Sequence, residues 1–433
     1  MPDMTELQPY ADVYGKLAPL RRREADWLRV MRDDAMRSFL DQGFPTVQDE
    51  AWRYTDLRAL SGTRFVTDPA ASRTAFENEK SLRPELDVDT LFFVNGWFRP
   101  QISDQPAGVR VTSLPEAGHS PEFLETMRHF HHFPMDSLQE LNVALGMGGV
   151  FIEVPDHTKL KRPLYIIHWS DSHGGLCQPK TVLRMGRGAR ATIIEDFRGA
   201  EGKMYFTNSM TETFLDRGAA LEHCKLQSED RAAFHAAVFR AIQTEESALS
   251  SISLAFGSRL ARHTGDVLFS GPGAKCSLTA LSVGEGDQVL DHVTGVDHAS
   301  PACGSEQLFK NILGGSSRGI YTGRVLVRRD AQKSDAHQTN RNLLLSGMAK
   351  ADSRPQLEIL ADDVKCSHGA VIGQLDEDSV FYLRSRGIDE KVARGILATA
   401  FAAEILEGIK HDGLKEKVLH RMREKLKRLG EET

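Results

Sequence analysis

The chain has 433 residues, 40% of them apolar and 26% charged, and carries a net charge of −6 at pH 7. That composition excludes a disordered or collagen-like polymer. The acidic balance argues against a general nucleic-acid binder, and no apolar run reaches the roughly 18 residues of a membrane span. Five cysteines, Cys177, Cys224, Cys276, Cys303 and Cys366, are widely scattered and form no CxxC pair. An odd, dispersed set predicts neither a disulfide framework nor a preformed zinc or ferredoxin-type site, and suits a reducing cytoplasm. The opening MPDMTELQPY lacks a basic start leading into an apolar core, so no secretory signal is expected.

Residues 1–150 read as a helical and mixed region. Leu28, Met31, Ala35, Phe39 and Leu40 recur near the helical period, and Gly43 with Pro45 ends that helix. LFFVNGWF, from Leu91 to Phe98, predicts a hairpin with Asn95-Gly96 as its tight turn. From Ser120 to Leu145 the pattern is helical, broken at Pro134.

Over 151–375 helical periodicity gives way to short β-prone runs separated by Gly, Asp, Ser and Arg. Several runs open alike, as GARATIIE, GAALEHCK, ESALSSIS and GAKCSLTA; their alanines Ala189, Ala219, Ala248 and Ala274 are 30, 29 and 26 residues apart. A turn, a small residue and a strand repeating at such a period is the mark of a solenoid. Without intervening helices a βαβ sheet is disfavoured, which leaves a β-helix, preferred, or a large β-sandwich. Over 376–433 the chain is helical again. Asp389 is placed to cap a helix with Val392, Ile396, Leu397, Ala400, Phe401 and Ile405 on one face. A second amphipathic helix uses Leu414, Val418, Met422, Leu426 and Leu429, with Lys415, Arg421, Lys425 and Lys427 on a basic face expected to meet solvent or a protein. These helical ends could cap the edge strands of the β stack.

No phosphate-cradling P-loop, GxGxxG, HExxH or GxSxG motif occurs. His129, His131 and His132 read as a solvated group rather than a metal site. Two stretches are dense in metal-capable residues. Leu290–Leu313 carries Asp291, His292, Asp297, His298, Cys303 and Glu306, where polar residues bonding backbone in turns are the stronger reading. Glu358–Ile388 carries Asp362, Asp363, Cys366 and His368. On a strand, Cys366 and His368 share a face and Ser367 takes the other. Thiolate and imidazole suit iron, zinc and iron–sulfur species, but two donors cannot complete a site, so the rest would come from elsewhere, including another chain. A buried cysteine beside a hydrogen-bonded histidine is the plainer alternative.

At these residues the sequence resembles the SufB/SufD family. The matching text is DHVTGVDHASPACGSEQLFKNIL, GIYTGRVLVRRDAQKSDAHQTNRNLLLS and ADDVKCSHGAVIGQLDEDSVFYLRSRGI; GFPTVQDEAWRYTDLRAL and CSHGAVIGQLD are similar to SufD members in particular. The resemblance implies a right-handed parallel β-helix flanked by helical regions, and a non-enzymatic subunit of iron–sulfur cluster assembly. It implies a SufB-type partner paired through the β-helix, and a SufC-type ATPase docked on the helices from about Asp376 to Leu429. It implies a cluster or its iron held transiently at the shared interface, with His368 as the candidate ligand and Cys366 the weaker one. An isolated chain could also pair with a second copy. Flavin binding is not specified. The competing readings are a SufB-like principal scaffold and a β-helix carbohydrate-active enzyme.

Overall fold

A computed structural model describes residues 4–67 and 79–432. Residues 68–78, within the region read as mixed, lie outside the described residues, as do the first three residues and the last.

Two ten-stranded sheets run face to face among the described residues. One sheet ends with the strands Arg190–Gly199, Ala220–Gln227, Ala248–Ala255, Lys275–Gly284, Gly304–Leu313, Asp335–Leu344 and Lys365–Gln374, in that spatial order. The other runs back from Lys350–Ile359 through Arg318–Val327, Val289–His298, Leu260–Phe269 and Phe234–Gln243. The chain alternates between the sheets, and successive strands within each pair in parallel. This is a parallel β-solenoid of about eight turns, with helical regions before and after it. The sandwich alternative falls, because parallel neighbours one coil apart require a winding chain rather than hairpins.

The repeat has a simple cause. Six successive coils turn through a residue with φ between 55° and 74°, at Gly188, Gly218, Glu246, Gly273, Ala302 and Lys333. Glycine suits this left-handed conformation best. The next residue points inward and must be small, giving the buried column Ala189, Ala219, Ser247, Ala274, Cys303 and Ser334. Three of the four predicted alanines sit in that column. Ala248 is one residue out of register and exposed; it pairs with Ala220, and Ser247 takes the inward place. The third coil supplies its positive φ from Glu246 instead of glycine, so alignment on alanine slips there.

The flanking helices cover sheet faces rather than strand edges. Outward residues Leu226, Leu254, Leu281, Ile312 and Leu343 pack beneath Ala402, Ile405, Leu406, Val418 and Met422 of the helices Glu390–Glu407 and Asp412–Glu432. Asp389 caps the first of these, accepting from the Lys391 N–H at 2.9 Å. The predicted basic face of the second divides: Arg421, beside Lys417, reaches the fully buried Asp196 at 3.3 Å, with Lys417 at 3.0 Å, and Lys425 reaches Gln288 at 2.7 Å, whereas Lys427 is exposed and Lys415 is partly so. Arg421 and Lys425 depart from the face expected to meet solvent or a protein; for Arg421 the reason is that outward Asp196 needs cations to offset its burial. Burial opposes that charge, but Arg198, Arg421 and Lys417 hold the carboxyl far below its usual range.

The other sheet is covered from the N-terminal side. The helix Asp26–Gln42 ends at Gly43 and packs on Ser137–Leu145 through buried Arg32, which pairs with Glu24 and donates to the Val143 carbonyl at 2.6 Å. The predicted hairpin forms, with φ 50° at Asn95 and 83° at Gly96. The AWRYT stretch docks on the sheet: Arg262 lies 3.9 Å over the Trp52 ring and donates to the Ala51 carbonyl, and Arg318 donates to the Tyr54 carbonyl at 3.2 Å.

Candidate functional site

The final coil is where Cys366 and His368 fall. Alternation along Lys365–Gln374 turns Cys366, His368, Ala370 and Ile372 to the inside and Ser367 to the outside. Cys366 packs against the interior with Ala336 and Val364 and is half-buried. His368 pairs in register with Gln338, which pairs with Gln307, so it ends an inward column. Its side chain is exposed because this strand closes the sheet and no further coil stacks on it.

Burial pushes the Cys366 thiol up; the Asp335 charge adds to this and a contact with the Ala336 backbone offsets part. A protonated thiol must lose its proton before binding a metal, which makes Cys366 the poorer donor of the two. On the outer face, Ser367 Oγ lies 2.6 Å from His337 Nδ1, whose Nε2 lies 2.7 Å from Asp335. This pins the strand between the two candidate donors. His337 was inside a matching motif, but only the pairing of neighbouring coils puts it beside Ser367.

The other metal-capable residues are dispersed by the same alternation. Asp291 faces outward and accepts from Thr55 at 2.5 Å and from Arg262, so it anchors the N-terminal segment. Asp297 faces outward and pairs with Arg328 at 2.7 Å. His292 and His298 do share the inward face, but His292 bonds Ser253 and Ser282 at 3.3 Å, and His298 bonds Ser305 at 2.9 Å. Burial pushes these imidazoles down to about 3 and about 4, so both stay neutral. Cys303 is buried in the turn column and Glu306 is exposed on the outside, as are Asp362 and Asp363. His131 and His132 are exposed, and His129 stacks on Phe214. Among the described residues no group of three or more His, Cys, Asp or Glu side chains could hold a metal ion. The pair at the last coil is therefore an incomplete donor set.

Sequence reasoning missed the polar interior. Glu195 contacts His168 at 3.3 Å and His223 at 3.0 Å. Lys225 lies 2.7 Å from His235 and 3.3 Å from His263, and His235 lies 2.6 Å from Glu229. Burial pushes Lys225 down to about 7 against the pull of Glu195 and Glu229. Burial also works against charge on Glu195, yet His168 and His223 keep its carboxyl well below the usual range. The signal was polar residues at every second strand position, legible only once the inward phase is known.

Residues 4–166 match the SufBD protein N-terminal region, and residues 168–401 match the SufBD core domain of SUF system FeS cluster assembly. The chain belongs to the SufBD family. It is 31% identical over 397 residues to the iron–sulfur cluster assembly protein SufD of Escherichia coli K12, covering 90% of this chain and 91% of that protein. It is 32% identical to a SufBD family iron–sulfur cluster assembly protein of Synechocystis, covering 84% of each. It is 30% identical to the chloroplastic protein ABCI7 of Arabidopsis thaliana, over 88% of this chain and 82% of that one. The SufBD match spans the solenoid and the helices that precede it, so fold and family agree. No helix among the described residues is long and apolar enough to cross a membrane.

Proposed function

We propose that the chain is a non-catalytic subunit of an iron–sulfur cluster assembly scaffold, contributing to iron acquisition and to cluster formation where its last coil meets a SufB-type partner. The observation that carries this reading is the uncovered end of the solenoid. There His368 and Cys366 face inward with no further coil above them, and Ile359, Leu360, Val371 and Ile372 are 41–62% exposed. An edge strand with free backbone groups and exposed apolar side chains is a template for pairing with another chain. His368 is the proposed ligand for the iron or nascent cluster, which is cargo rather than a resident cofactor, and the partner would supply thiolate. Cys366 is the weaker donor.

A SufC-type ATPase would dock on the C-terminal helices, where Phe381, Tyr382, Val392 and Ile396 are 44–72% exposed. Because those helices also bury Ile405, Leu406 and Val418 against the solenoid, the test uses point changes rather than removal of 376–433. Val371→Asp with Ile372→Asp should abolish co-purification with the SufB-type chain while ATPase capture persists; Phe381→Asp with Val392→Asp should do the reverse. Retention of both partners by both double variants would defeat the docking assignment.

A further inference from the structure

The outer face of one sheet carries a groove of about 620 Å³. Its floor is formed by the strands Leu260–Phe269, Val289–His298, Arg318–Val327 and Lys350–Ile359. Along one row of that floor the register places Arg240, Asp266, Gly295, Arg324 and Gln356 side by side. The docked N-terminal segment contributes Glu50 and Ala51 to the walls, and the chain just before the helix Ser137–Leu145 contributes His132, Phe133 and Pro134.

The acidic and basic side chains of the groove pair off, with one exception. Three guanidinium groups line it, and each has a carboxylate: Arg324 with Glu358 at 2.7 Å, Arg328 with Asp297 at 2.7 Å and Arg354 with Glu50 at 2.6 Å. The fourth carboxylate, Asp266, has no hydrogen bond or ion pair among the described residues. Its cationic neighbours are committed elsewhere. Arg240 donates to the Pro134 carbonyl at 2.7 Å and to Gln139 at 2.5 Å, and Arg262 is held by Asp291 and the Ala51 carbonyl. Burial pushes the Asp266 carboxyl up to about 6, against Arg240 and Arg262 and with the like charge of Asp136. The outward carboxylates Asp196 and Asp291, by contrast, are each answered by cations, as burial demands. Gly295 keeps Asp266 accessible: a Cβ there would stand 2.7 Å from Asp266 Oδ1, so without one that oxygen leans into open groove.

One carboxylate with no further donors does not hold a metal ion, which takes several oxygen ligands. An ammonium needs only a counter-ion and an acceptor for its N–H groups. Phe133, Pro134, Leu268 and Leu326 add apolar wall that suits a carbon stem, in a space of ligand size. We propose that the groove binds an organic monocation, an ammonium on an apolar stem, with Asp266 as its counter-ion and Phe133, Leu268 and Leu326 around the stem. A free amine and a lysine side chain presented by another protein share this chemistry. The site has no residue in common with the pair at the last coil and does not rest on the reading of His368. Bound cation favours the ionised carboxylate, so affinity is full above pH 6 and falls as pH drops through it.

The test is titration calorimetry on the full-length chain with three probes: phenethylamine, its neutral counterpart phenethyl alcohol, and N-acetyl-lysine methylamide. At least one of the two cations should bind with a Kd of about 1 mM or below, and the alcohol about tenfold more weakly or not at all. Tighter binding of phenethylamine assigns the site to a free amine, and tighter binding of the lysine probe assigns it to a protein side chain. Asp266→Asn should weaken the cation about tenfold at pH 7.5. Its melting temperature should stay level or rise, because the change removes an uncompensated charge. Gly295→Val, which sets a side chain against Asp266, should weaken binding to the same degree and carries the test if Asp266→Asn does not fold. His132→Gln removes the other titratable group in the walls and should leave the loss of affinity below pH 6 in place. Failure of both cations to bind the wild type, or equal binding of amine and alcohol, would overturn the site. Wild-type affinity in Asp266→Asn and Gly295→Val would overturn it as well.

Discussion

The middle coils and the last two are built from the same repeat but are treated oppositely. Between residues 190 and 313 both sheet faces are covered over most of their area, by N-terminal elements on one side and C-terminal helices on the other, and inward charges such as Glu195 and Glu229 are matched to partners. The strands Lys350–Ile359 and Lys365–Gln374 are partly or fully exposed along their whole lengths. A covered coil is held by its neighbours on every side. An uncovered one leaves side chains such as His368 free to meet something else. The contrast implies that substitutions in the middle are read out as stability, and substitutions at the end as association and cargo.

The largest effects should come from the covered half. Asp196→Ala removes the buried carboxylate that Lys417, Arg421 and Arg198 all contact, and should cost about 3–5 kcal/mol. Thermal melting with limited proteolysis should show the helix Asp412–Glu432 released first. Leu281→Ala, at a fully buried position under those helices, should cost about 2–5 kcal/mol, whereas Val371→Ala at the exposed end should stay within about 0.5 kcal/mol. Equal losses at the two positions would break the comparison.

Acid should act on the covered half too. Burial pushes His235 and His298 down to about 4 and His292 down to about 3, below the ordinary imidazole value of 6.5. The unfolded chain therefore takes up these protons first as pH falls. Stability is full above pH 6.5 and declines as pH drops from there toward 4. Melting temperatures measured across that window should fall steadily, and His292→Gln should flatten the decline. A melting temperature independent of pH from 6.5 to 4.5 would contradict the buried neutral assignment.

Smaller effects sharpen the account of the coil. Asp389→Ala removes a helix cap and should cost about 1 kcal/mol. Glu246→Gly relieves a left-handed residue at a position where the neighbouring coils at Gly218 and Gly273 use glycine, and should stabilise by up to about 1 kcal/mol. Ala248→Lys, at an exposed position out of the column, should be nearly neutral, which a melting curve would check.

Much of this was legible in the amino-acid order. Turn chemistry at Asn95-Gly96, the stop at Gly43, the cap at Asp389 and the Gly-Ala openings of the coils are local, and local sequence carries them. The slip in the repeat, Ala248 for Ser247, occurred where Glu246 replaced glycine in the turn. The alternation that puts Cys366 and His368 on one face is also local, and so is the separation of Asp291 from His292. What stayed hidden depends on which coils stack: His337 beside Ser367, Gln338 beneath His368, and Asp291 engaged by Thr55 from 236 residues away. Arg421 was read as outward because nothing local reveals the buried Asp196 it serves.

The most direct test is cluster formation on the His368→Ala variant, assembled anaerobically with the proposed SufB-type partner and followed by ultraviolet–visible absorbance, with thermal melting of the same preparation. An exposed imidazole on an uncovered coil contributes little to the fold. The expected result is a melting temperature within about 2 °C of wild type, the shift of a change well under 1 kcal/mol, an intact complex, and cluster yield reduced at least severalfold. A full cluster yield accompanied by a lowered melting temperature would contradict it, and would make His368 a structural residue.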